Sequence, residues 1–197
     1  MSALERREER SSKVTIVGIL VVMAAIAFGI SFVSSPTEKL LGASVYGIHS
    51  AIHGLVAGVL MVTMTIGLFQ AFRLWSGAPI HVAELKIGSL VNAAVCFLTI
   101  VAGNWIYIPY RAGGGPRAHF LETAPEIHRI FFEFKEYTAL LTFPLVVAAT
   151  SIIFCYGEKM NTNKSLREMT SLLLVLAFFY FAVAFGLGAA ITKLKSV

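Results

Sequence analysis

Five long apolar runs alternate with short polar stretches along the chain: Val14–Val33, Val45–Phe72, Ile87–Ile108, Tyr137–Tyr156 and Leu172–Ile191. A hydrocarbon core of ~30 Å takes roughly 20 residues of α-helix to cross, so each run is long enough to span it. The pattern predicts an all-α integral membrane bundle of five transmembrane helices, with residues 1–197 forming a single transmembrane domain. The helices are expected at about 14–33, 45–72, 87–108, 126–156 and 172–191.

Local signals mark where the helices stop and start. Ser34-Ser35-Pro36 ends the first run. The second continues from about Ser44 to Trp75, roughly 45 Å at 1.5 Å per residue, so it must tilt or project from the hydrocarbon. The third closes in Asn104-Trp105-Ile106-Tyr107-Ile108-Pro109-Tyr110-Arg111, an aromatic belt ended by Pro and Arg. Gly113-Gly114-Gly115-Pro116 then opens the longest loop, Ala112–Ile127. Thr123 is expected to cap the fourth helix, with Glu126 three residues on, and Pro144 to bend it.

Composition agrees with this reading. Hydrophobic residues make up 57% of the chain and charged residues 14%, far from the balance of a soluble domain. Every acidic residue is Glu, which removes Asp-based calcium loops and the usual Ser-His-Asp triad. Cys96 and Cys155 lie inside expected helices without a CxxC or CxxCH pattern and read as buried packing residues. The first run is longer than a signal-peptide core and no A-x-A site follows it, so it is expected to be retained.

The net charge of +5 is not a nucleic-acid signal, because the basic residues sit at helix ends. Arg6, Arg7, Arg10, Lys13, Arg73, Lys86, Lys159, Lys164 and Arg167 fall on one side; Lys39, Arg111, Arg117, Arg129, Lys135, Lys193 and Lys195 fall on the other. The dense N-terminal cluster places the N-terminus in the cytoplasm. A bacterial inner (cytoplasmic) membrane is the expected location.

Candidate chemistry gathers at the outer end. His53 and Glu136 fall at the outer boundary, level with Asn104, Tyr107, Tyr110 and Arg111; His49, one turn from His53 on an otherwise apolar helix, and Glu133 lie about one turn above, and His128 roughly 12 Å above. Polar groups at that depth are costly and tend to serve a site. A solvated rim explains part of the cluster, with Arg129 pairing to Glu133 and Lys135 snorkelling to water. It does not explain the two histidines. His119 and His81 read as solvated surface residues.

Two chemistries use such a cluster. In one, His49 or His53 ligates a haem b iron, His128 or the other histidine completes the site, and Arg111, Arg129 and Tyr110 meet the propionates. Gly47, Ala51, Gly54 and Gly58 would clear room for the macrocycle, although Gly54-x-x-x-Gly58 equally suits close helix packing. In the other, His49, His53, His128, Glu133 and Glu136 surround a non-haem Fe or Cu ion.

With His49, His53 and His128 near one interface, the chain resembles the small membrane b-type cytochromes that pass electrons between quinol and partner proteins. The resemblance implies one haem b near the outer face and exchange with a quinone or a cytochrome. Two buried haems, as in succinate dehydrogenase anchors, would need axial histidines on four helices, and here the first, third and fifth runs have none. The expected partners are membrane lipid and other subunits of a membrane complex, with no nucleic acid. The chain reads as an electron-transfer or a cofactor-free structural subunit rather than a catalyst.

Overall fold

The computed structural model describes residues 45–194. The expected helix at 14–33 and the N-terminal basic cluster lie outside them. Among the described residues the chain is all-helical, without a strand. Helix α1 spans Val45–Trp75, α2 Val82–Arg111 and α3 Pro116–Thr123. A π-helical segment, Ile127–Phe132, runs into α4, Glu133–Tyr156. A 3₁₀ turn, Gly157–Asn161, leads to α5, Lys164–Leu194.

Four of these helical stretches are long and apolar enough to cross a bilayer, and they fit a multi-pass integral membrane protein. Three extend beyond their apolar runs: α1 ends at Trp75, α2 begins at Val82 and α5 begins at Lys164. A helix does not stop where hydropathy drops, because its ends can carry polar residues into the interface. The 31 residues of α1 give a rod of about 46 Å.

The long helices pack in a ring, α1 against α2 and α5, and α4 against α2 and α5. Each presents one seam of residues three and four apart, the period of a left-handed bundle. On α1 the seam runs Ser50, His53, Ala57, Leu60, Met64, Gly67, Ala71, Leu74. On α4 it runs His128, Phe132, Lys135, Ala139, Thr142, Val146, Ala149, Ile153. The apolar seam members form the core: Leu60, Met64, Val146, Ala177 and Phe181 pack at mid-height, and Leu74, Leu85, Ala149, Ile153 and Leu174 towards one end.

That end is closed by Arg167. Its guanidinium is buried and donates to the main-chain carbonyls of Leu74 (2.9 Å), Arg73 (3.0 Å) and Ala78. These carbonyls belong to the C-terminal turn of α1 and the residues just beyond, where the helix dipole is negative; those of Arg73 and Leu74 also accept from the Ala78 and Gly77 amides. Ser171 adds a bond to the Ala71 carbonyl at 2.8 Å. The sequence assigned Arg167 to a basic loop; the structure buries it as a cap.

Two other expectations are corrected. Thr123 does not cap the fourth helix: it ends α3, and its hydroxyl donates to the His119 carbonyl at 2.8 Å. Only Cys96 is buried, whereas Cys155 is exposed on the outer face of α4. The long loop is also better ordered than its glycines suggested. Gly114 takes φ +76°, and α3 follows directly, with Pro116 at its first turn.

Candidate functional site

At the opposite end, named here for Arg111, the seams change character. They carry Ser50, His53 and Ala57 on α1; Thr99 and Gly103 on α2; Lys135 and Ala139 on α4; and Ala184 and Gly188 on α5. Small and polar side chains in facing layers cannot fill the space between four helices. A cavity of about 340 Å³ results, within the range of about 300–1,000 Å³ typical of small-molecule sites. Pro116 and Phe120 of α3 form part of its wall, beside Tyr110 and Phe132.

Among the histidines, His53 alone lines the cavity. Its Nδ1 lies 3.2 Å from the Thr99 carbonyl oxygen. A carbonyl can only accept, so Nδ1 carries the proton, and the neutral ring keeps its lone pair on Nε2. Among the described residues Nε2 makes no hydrogen bond. The ring rests on bare backbone: a Cβ at Gly103 would stand 3.2 Å from His53 Cε1. A backbone acceptor behind a histidine is the usual way to hold and orient an imidazole that ligates a metal.

A second polar group joins α2 to α4. Tyr107 donates to Glu136 Oε2 at 2.7 Å and accepts from Arg111 Nη2 at 2.9 Å. The Arg111 guanidinium also lies over the Tyr107 ring, 4.1 Å from its centre. Tyr107, Arg111 and Glu136 all line the cavity. Lys135 lines it too. Its ammonium sits 5.2 Å from the centre of the Phe132 ring, and a Cβ at Gly188 would approach its Cε to 3.2 Å.

The remaining predicted residues separate. His128 is buried but outside the cavity, and both its nitrogens are engaged: Nδ1 lies 2.9 Å from the Tyr110 hydroxyl, and Nε2 accepts from Arg117 Nε at 3.2 Å. Glu133 Oε1 reaches only 3.9 Å from Nε2, and its side chain is largely exposed. Tyr110 is buried, stacked on Phe132 with ring centres 4.4 Å apart, and forms part of the cavity wall. His128 is therefore a positioning residue for Tyr110 and for α3. Arg129 is exposed and His49 is not part of the wall.

Among the described residues no three His, Cys, Asp or Glu side chains gather as a metal ion would require. The predicted set of His49, His53, His128, Glu133 and Glu136 is not drawn together. The small-residue face is also displaced: a Cβ at Gly54 or Gly58 would meet nothing within 4 Å, so that stripe looks away from the cavity. The glycines that do make room are Gly103 and Gly188, which the hydropathy pattern gave no reason to select. Comparison with protein-family models, with curated proteins and with solved structures finds no match to the chain.

Proposed function

We propose that this chain is a multi-pass integral membrane redox protein that holds one haem b in the cavity through His53. Electrons would pass between that haem and a quinone or a partner cytochrome. The observation that carries the reading is the His53 geometry: Nδ1 is committed to the Thr99 carbonyl, Nε2 has no hydrogen bond among the described residues, and the residue lines a cavity of ligand size. A bare ion needs several protein ligands, but among the described residues no three His, Cys, Asp or Glu gather, and His53 is the one histidine in the cavity wall. A haem brings four nitrogens of its own and needs one or two from the protein.

His53 would hold the haem iron on this reading, and no other histidine lines the cavity. Arg111, in the cavity wall, would meet the propionates; the Tyr110 hydroxyl is engaged with His128, and Arg129 lies outside the wall. Bound haem would supply one-electron chemistry, tuned by its axial ligand and by burial. The chain's own residues orient the imidazole, exclude water and hold the acidic edge of the ring. With the Arg167 end in the cytoplasm of a bacterial inner membrane, the cavity faces the outer surface, where an external cytochrome can approach.

The test is the visible spectrum of purified protein, oxidised and dithionite-reduced. A sharp reduced band in the b-type region is expected. His53→Ala should abolish it, while His81→Ala, at the exposed far end, should leave it intact. Equal retention of the band in both variants overturns the assignment.

A further inference from the structure

Lys135 is the residue that the haem reading leaves unexplained. It lies on the inward seam of α4, between Phe132 and Ala139, and is partly buried against the cavity. Among the described residues its Nζ has neither a hydrogen bond nor an ion pair; its close neighbour is the Phe132 ring. Glu136, the adjacent carboxylate, is held by the Tyr107 hydroxyl instead. An ammonium in an apolar cavity is costly unless something answers its charge.

A lysine near a helix end usually avoids this cost by extending to water. Here the side chain is turned inwards and given space. Gly188 of α5 lies against its terminal carbons, where even a methyl group would press at 3.2 Å. Leu60, Ile100, Phe181 and Phe185 give the wall apolar surface, and His53 lines the same space. The cavity wall therefore combines apolar side chains, the His53 imidazole and an ammonium that has no hydrogen bond or ion pair among the described residues.

We infer that the cavity is built for an amphiphilic organic acid whose carboxylate pairs with the Lys135 ammonium. The inference deepens the preceding proposal, because haem b is such an acid through its propionates, but it does not depend on that identity. A long-chain fatty acid carries the same carboxylate on an apolar body. The shared chemistry is a carboxylate at Lys135 with the apolar part against Leu60, Ile100, Phe181 and Phe185.

Two acids and their neutral esters separate the sources. Full-length protein in detergent is titrated with haem b and with haem dimethyl ester, by absorbance. It is also titrated with cis-parinaric acid and with its methyl ester, by fluorescence. Lys135→Gln should weaken binding of whichever acid the wild type takes by about tenfold to a hundredfold, the worth of one charge-assisted hydrogen bond. It should leave the matching ester unchanged, and Lys135→Arg should retain most of the affinity. Circular dichroism of each variant shows whether the bundle is intact.

Haem bound in a Lys135-dependent way supports both this inference and the redox reading. Parinaric acid bound that way, with no haem band, supports the inference and overturns the redox reading. The inference is overturned if Lys135→Gln affects acid and ester alike, if it affects neither, or if the wild type binds neither acid.

Discussion

The two ends of the bundle face the same physical problem and solve it oppositely. At the Arg167 end a guanidinium is buried, yet the chain itself supplies three carbonyls to answer it. The surrounding Ala71, Leu74, Ala149, Ile153 and Met160 have no measurable exposure. At the Arg111 end, His53 and Lys135 line a cavity, and neither His53 Nε2 nor Lys135 Nζ has a hydrogen bond or an ion pair among the described residues. Polar groups satisfied from within hold a fold together. Polar groups left open, beside space their neighbours were kept small to create, are there to meet something else.

The largest expected effect tests the satisfied end. Arg167→Met should remove three charge-assisted hydrogen bonds and leave the Ala78 carbonyl without its donor, while Arg73 and Leu74 keep backbone donors, at about 1–3 kcal/mol. A total loss of about 3 kcal/mol corresponds to a fall in unfolding midpoint of roughly 10 °C for a chain of this size. Ligand binding per folded molecule should not change. A thermal melt in detergent, read beside a titration of the folded fraction, checks both. A stable variant with lost binding would mean that the two ends are not independent.

The next contrast uses one substitution at two places. Ala149 is fully buried in the packed end, so Ala149→Leu adds volume where none is free and should cost about 1–3 kcal/mol. Ala139, ten residues earlier on the same seam, lines the cavity. Ala139→Leu should fill empty space at little or no cost, and should reduce ligand binding by at least about tenfold. Melting curves and titrations of the pair decide it. If both variants lose stability equally, the cavity is not a permanent void.

How much of this was legible in the sequence follows from which signal each feature obeys. The long helices were visible because apolar runs of bilayer length have few other uses. The site was half visible. His53, Tyr110, Arg111 and Glu136 stood out as polar residues at one depth, but depth does not say which way a side chain points. The three-and-four seam does. On α1 it passes through Ser50 and His53, so His49 misses the cavity although it lies one turn away. On α4 it passes through His128, Phe132 and Lys135, leaving Arg129 and Glu133 outside. Because these helices are apolar on nearly every side, hydropathy hides the seam. The burial of Arg167 and the π-helical segment that turns His128 inward depend on contacts between distant residues, which no local pattern carries.

The smallest expected effect concerns the hydroxyl that keeps the charges apart. Tyr107 ties up Glu136 and leaves Lys135 unanswered. Tyr107→Phe removes that tie while keeping the ring on which Arg111 stacks. Losing the bond to Glu136, together with the one from the exposed Arg111, should cost about 1 kcal/mol of stability. The freed carboxylate can then turn to the neighbouring ammonium and compete with an acidic ligand, weakening its binding by about threefold. Adding Glu136→Gln to the Tyr107→Phe variant removes the competitor, so acid binding should recover although the hydroxyl is still absent. If the double variant binds no better than the single one, Glu136 does not compete for Lys135. The open end would then owe its unanswered cation to packing alone, and the contrast between the two ends would rest on His53.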